Sequence, residues 1–317
     1  MPNHTPFLGP LGLGLLIAAC SASPVADNAG GSVGNGGKGG TGGTLLPGAT
    51  GGTIQGTPGD TGGAVAAQWP PKDFINVTDA AVGAYALGPE ISGGASAGDI
   101  NASDHCAGFF GVVRDFKMGT KPDGHPDFQT PDTGLDLGIV EETLGSDGKP
   151  IYAHDETPST TGKANFDQWY RDVEGVNRSY VLALHLVERD GISTFSAVKP
   201  SYFFPLDGQG FGDQDERHNF SFSTEIHTSF KYSGGETFGF AGDDDVWVFI
   251  DNKLVIDLGG RHGQETRSVD IDSLGLQPGN IYDLAVFHAE RHTSESNFQI
   301  QTTMAFTDCG QINGIVY

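Results

Sequence analysis

Three consecutive carboxylates, Asp243, Asp244 and Asp245, run directly into the apolar stretch Val246-Trp247-Val248-Phe249-Ile250. Like charges at the mouth of such a strand repel one another, and either a cation or solvent must relieve them. A hard divalent cation gathers oxygen ligands, which adjacent carboxylates supply. The same trio would also serve as a solvated turn whose side chains cap backbone amides. An EF-hand is excluded, because alternating Asp/Asn spacing, a central Gly and a terminal Glu are missing. A second cluster is His288-Ala289-Glu290-Arg291-His292. Its Glu does not directly follow the first His, so this is not the helical zinc-protease pattern. On a strand, His288, Glu290 and His292 fall on one side. There they would bind zinc, or Glu290 and Arg291 would make ionic contacts at the strand end, or Glu290 and His292 would line a ligand loop. The chain has no serine nucleophile elbow, Cys/His catalytic signature or GxGxxG run. Paired carboxylates are too abundant in so acidic a chain to mark a glycosidase.

The elements that must position these residues read as strands. Phe220, Phe222, Thr224 and Ile226 alternate with Asn219, Ser221, Ser223 and Glu225, the pattern of a half-buried strand. Phe230 to Tyr232, then Ser233-Gly234-Gly235, then Thr237 to Phe240 reads as a hairpin. Val246 to Ile250, a turn at Asp251-Asn252, and Leu254 to Ile256 read as a second hairpin, with its first strand buried on both faces. Tyr282 to Phe287 and Phe298 to Met304 make a last pair. One short helix is expected, capped by Asn165, with Phe166, Trp169, Tyr170 and Val173 on one stripe. Trp169, Tyr170 and Trp247 are assigned to the core rather than to sugar-stacking platforms. The expected class is all-β, an antiparallel sandwich or flattened barrel with short helical decorations.

The chain has 317 residues, and its charge sums to 17 − 40 = −23. That balance repels nucleic acid and anionic membrane surfaces. From Asn28 to Gly63 glycine dominates and apolar residues are few, so this stretch cannot offset its ordering entropy. Residues 21–68 read as a flexible linker, and 69–317 as one β domain. Leu11 to Ala19 is a short apolar run ending in Ile17-Ala18-Ala19-Cys20, which resembles a bacterial lipobox, although no Lys or Arg precedes it. The resemblance implies a signal over residues 1–20 and lipidation at Cys20. Ser21 next to it implies outer-membrane sorting. With Cys20 acylated, Cys106 and Cys309 remain to form a disulfide, or stay as two separate buried thiols.

The run Gly242-Asp243-Asp244-Asp245-Val246-Trp247-Val248-Phe249-Ile250, followed by Lys253 to Gly260 and His262, resembles the fibro-slime family. Further matching residues are Arg114-Asp115-Phe116, His125 to Phe128, Phe166 to Asp172, Phe203 to Asp207, His218-Asn219-Phe220 and Glu290 to Thr293, so the likeness covers about 106–308. It implies a secreted or surface protein whose C-terminal core is similar to the protective-antigen-like β-module. In lectin-like members of that module, two adjacent aspartates on one loop and an asparagine with carbonyls on another hold calcium, which coordinates sugar hydroxyls. The resemblance carries these roles to Asp244 and Asp245, with Asp243 adjacent, and to Asn297 on the loop from Glu290, where His292 also stands. The expected function is non-enzymatic adhesion to an extracellular glycan or matrix polysaccharide, aided by calcium. A structural matrix protein without a sugar site is the alternative, and a zinc-dependent hydrolase the third reading.

Overall fold

The structure, a computed structural model, describes residues 83–91, 108–129, 131, 133–200 and 202–310. The expected signal, the linker, Cys20 and Cys106 lie outside them. Two strands come first, β1 (Tyr85–Ile91) and β2 (Gly108–Phe116). A hairpin of β3 (Val140–Leu144) and β4 (Pro150–Tyr152) follows, then one helical turn, α1 (Lys163–Phe166). Next come β5 (Asn177–His185), β6 (Val187–Arg189) and β7 (Ile192–Ala197). Then follow β8 (Phe222–Lys231), β9 (Thr237–Gly242), β10 (Asp245–Ile250) and β11 (Lys253–Leu258). The last are β12 (Glu265–Asp270), β13 (Ile281–Glu290), β14 (Phe298–Thr302) and β15 (Ala305–Phe306).

These strands form two antiparallel sheets. The larger runs β1-β5-β2-β8-β13-β10-β11-β3-β4, with β15 on β8, and the smaller runs β12-β9-β14-β7-β6. Phe222, Ile226, Val246, Val248 and Val286 of the larger sheet pack against Phe195, Phe238, Phe240, Phe298 and Ile300 of the smaller one. That shared core makes the fold a β-sandwich. The outer face of the larger sheet is covered as well. Phe128, Tyr152, Phe166, Trp169 and Tyr170, all from the segment between β2 and β5, bury Trp247, Phe249 and Phe287. Both tryptophans are therefore core, as their surroundings in the sequence suggested.

The β10–β11 hairpin forms with Asp251 and Asn252 at φ 50° and 62°, the left-handed pair that a two-residue turn requires. Four other expectations need correction. First, β8 is buried on both faces, because the covering segment encloses Ser223 and Glu225. Second, β8 and β9 are not a hairpin. Both edges of β8 are taken, by β2 and β13, so Ser233-Gly234-Gly235 carries the chain across to the smaller sheet. Third, β13 is likewise saturated by β8 and β10, so β14 pairs instead with β9 and β7. Fourth, α1 starts after Gly162, and Asn165 lies inside the turn, its Nδ2 donating to Thr161 Oγ1 at 2.7 Å. Cys309 is buried and disulfide-bonded.

Candidate functional site

Two chain crossings meet at one end of the sandwich. Asp243 and Asp244 lead from β9 in the smaller sheet to β10 in the larger one, and residues 291–297 lead from β13 back to β14. The crossings are bonded to each other. Asp243 Oδ1 and Oδ2 accept from Asn297 N and Nδ2 at 2.5 and 2.6 Å, and the Asp243 amide donates to the Asn297 carbonyl at 3.3 Å. Gly242 permits this approach, since a Cβ there would stand 2.4 Å from the Asn297 carbonyl oxygen. The peptide between Asp243 and Asp244 is cis.

The three aspartates have different employments. Asp245 is fully buried and pairs with the equally buried Arg291, through Nε at 2.6 Å and Nη2 at 2.8 Å, while its Oδ1 also accepts from Gly260 N. Arg291 is held further by the carbonyls of Asp127 and Ser159 and lies 4.4 Å from the Trp169 ring centre. Asp245 is thus a structural anion, and the expectation that it joins a metal set does not fit its contacts. Asp243 and Asp244 instead line a pocket of about 160 Å³ with His262, Gly263, His292, Ser294 and Glu295. Asp244 Oδ2 accepts from the Arg291 amide at 2.8 Å.

Asn297 differs from expectation too. Its Oδ1 accepts from Lys199 N at 3.1 Å, and its Nδ2 serves Asp243 and Glu295. The side chain orients Asp243 rather than offering its oxygen to the pocket. Glu290 is buried near the aspartates; Oε1 accepts from His292 N, and Oε2 has no partner.

This arrangement loads negative charge into little solvent. Burial, partly offset by the Asn297 bonds, pushes Asp243 up to about 6. Burial raises Asp244 well above the usual carboxylate range, with Asp245 and Asp243 adding to the rise against Arg291. Glu290 is raised well above it by burial and then by Asp244 and Asp243. No Lys or Arg lines the pocket. Among the described residues no group of three His, Cys, Asp or Glu is placed to hold a metal ion by itself. The donor set suits a hard cation that completes its shell with other oxygens: two carboxylates face the pocket, and an unpartnered carboxylate oxygen lies buried near them. It does not suit zinc. His288 is fully buried, its ring packs against Phe203, Phe222 and Phe298, and its Nε2 donates to the Asp243 carbonyl at 2.8 Å. Burial lowers it to about 4, so the ring is neutral. The face expected from His288, Glu290 and His292 is therefore split between core and pocket.

Sequence reasoning located the crossing loops but missed Gly263 and Glu295 as pocket walls, and carried His262 only as part of the fibro-slime likeness. Glu295 was legible in principle, as an acidic residue within the loop already singled out.

Residues 186–315 match the PA14 domain. The C-terminal region is thus similar to the PA14 domain. Among curated proteins of Dictyostelium discoideum, protein psiR is 40% identical over 221 residues, 61% of this chain and 22% of its own length. Protein psiD is 40% identical over 223 residues, 64% of this chain and 42% of its own length. The chain thus spans less than half of these relatives. Among solved structures, a PA14 sugar-binding domain from an RTX adhesin is 10% identical, with a TM-score of 0.31, covering 66% of this chain and 98% of that one. The PA14 domain of the antifreeze protein MpAFP is 8% identical, with a TM-score of 0.24, covering 68% of this chain and 95% of that one.

Proposed function

We propose that this protein is a non-enzymatic, surface-tethered module of the fibro-slime type that binds an extracellular glycan or matrix polysaccharide with the help of calcium. One observation carries the reading. The two crossing loops, within the region similar to the PA14 domain, bring Asp243 and Asp244 to a pocket that lacks a basic side chain, with Glu290 Oε2 unpartnered and buried near them. Calcium held there would neutralise the carboxylates and present open coordination positions to vicinal sugar hydroxyls. This chain's own contribution is to aim Asp243 through Asn297, to keep Asp245 occupied with Arg291, and to shape the rim with His262, His292 and Glu295. Lipidation at Cys20, a flexible linker over 21–68 and a Cys106–Cys309 bridge complete the proposal, giving anchorage, reach and avidity from many weak sites.

A structural matrix protein without a sugar site is the second reading. It is favoured by the lack of a three-residue metal group among the described residues. Thermal unfolding of the calcium-stripped chain, titrated with calcium, tests both. Calcium should raise the midpoint of wild type and not of Asp243→Asn with Asp244→Asn, because a native-state ligand stabilises by mass action. A glycan array in calcium then separates the readings. Stabilisation without any sugar affinity supports the matrix protein, and no response to calcium removes the calcium site altogether.

A further inference from the structure

The cover on the outer face of the larger sheet ends before the strands beneath it do. In register across β10, β13 and β8 lie Phe249, Ala285 and His227, and the next outward pair is Asp283 beside Ser229. Small Ala285 between two larger rings leaves a depression. The turn between β3 and β4 closes one side of it and Asn252 stands at its end. The result is a pocket of about 370 Å³ lined by Ser146, His227, Ser229, Phe249, Asn252 and Asp283, among others. It sits at the far end of β10 from Asp243 and Asp244, roughly 20 Å away by the rise of an extended strand.

Its polar groups are oriented from behind, and each keeps an atom to spare. His227 Nε2 lies 2.7 Å from Glu225 Oε1, and Glu225 is buried between Arg114 and Lys149. Despite its burial, Lys149 and Arg114 hold Glu225 well below the usual carboxylate range, so it is an anion and His227 Nε2 carries the hydrogen. Nδ1 is then left without a partner among the described residues. Asn252 Oδ1 accepts from Leu144 N at 3.2 Å, which leaves Nδ2 as a donor. Asp283 Oδ1 accepts from Ser229 Oγ at 3.0 Å, which leaves Oδ2 as an acceptor. An amide donor, a carboxylate acceptor and a ring nitrogen around a small apolar floor match a ligand with hydroxyls at its edge and C–H groups on its face. No Lys or Arg lines the pocket, and the free Asp283 oxygen on its wall disfavours an anionic ligand.

We propose that this pocket is a second carbohydrate site, taking a neutral pyranose without any metal. It is independent of the calcium reading. Together the two would let one domain bridge two sugar units, so that weak sites reinforce each other.

The test is a saturation-transfer NMR titration of the full chain in EDTA with the methyl glycosides of glucose, galactose and mannose. At least one should bind in the millimolar range. Asn252→Asp and Asp283→Asn each remove one spare atom while keeping the bonds to Leu144 and Ser229, and each should weaken binding about five- to tenfold. Ser146→Trp, at an exposed turn position, should abolish it. Asp243→Asn with Asp244→Asn should leave it unchanged. Unfolding midpoints of the variants separate lost contacts from lost structure. No binding by any of the three glycosides in EDTA overturns the proposal, as does binding that survives Ser146→Trp. Loss with the Asp243 and Asp244 changes also overturns it, because it moves the sugar to the other pocket.

Discussion

Asp244 and Asp245 are sequence neighbours with opposite energetic signs. Asp245 has its charge matched by Arg291, and removing one partner of a buried pair strands the other. Asp245→Asn is therefore expected to cost about 3–5 kcal/mol in chemical denaturation, with or without calcium. Asp244→Asn removes a carboxylate that burial and its neighbours already disfavour. Without calcium it should leave stability equal or higher. The pH dependence follows from the same shift. A carboxyl raised in the folded state binds more protons there than when unfolded, so stability falls as pH rises from the unfolded value through the raised one. Asp243, at about 6, contributes the same slope. The gain of Asp244→Asn over wild type should thus be present at neutral pH and fade toward pH 4. A variant that is less stable than wild type at neutral pH without calcium would contradict this account.

At the scale of elements, the pocket exists because two saturated strands send their continuations to the other sheet. β8 and β13 have no free edge, so the chain must cross after each of them, and it returns to the larger sheet between β9 and β10. The return crossing and the one after β13 touch at Gly242 and Asn297. Gly242→Ala is expected to destabilise by about 1–3 kcal/mol through overpacking. It should also weaken any calcium-dependent shift in midpoint, since Asn297 N and Nδ2 aim Asp243. A calcium response as large as that of wild type would show that the loops can part without disturbing the carboxylates.

For the whole molecule, the PA14 match begins at residue 186, whereas the sheet that carries Asp245 and Glu290 does not. β2 and β5 extend that sheet from β8, and the segment between them buries Trp247 and Phe287 and supplies the Asp127 and Ser159 carbonyls to Arg291. Residues 186–317 expressed alone should therefore lack fixed tertiary packing, with an open β8 edge and an uncovered aromatic face. Near-ultraviolet circular dichroism and dispersed amide NMR signals would decide this. A cooperatively folding fragment would show that the earlier strands are an addition to the domain rather than part of it.

Much was legible without coordinates because local rules govern it. Alternating aromatic and β-branched residues, with Asp251-Asn252 between two apolar runs, determine strands and a tight hairpin from side-chain shape and backbone sterics alone. The acidic triplet and the loop after Glu290 mark one site for the same reason: their charge is unusual wherever they sit. Which aspartate does what was not legible. Asp243, Asp244 and Asp245 are chemically identical along the chain, and only the tertiary structure, by placing Arg291 against one of them and a pocket against the other two, makes them different. The sheet assignment of β9 and β14 was hidden likewise, because a strand's pattern reports that it will pair but not which edges are already taken. The second pocket had no signature at all, since Asn252, Asp283 and His227 become neighbours only through register across three strands.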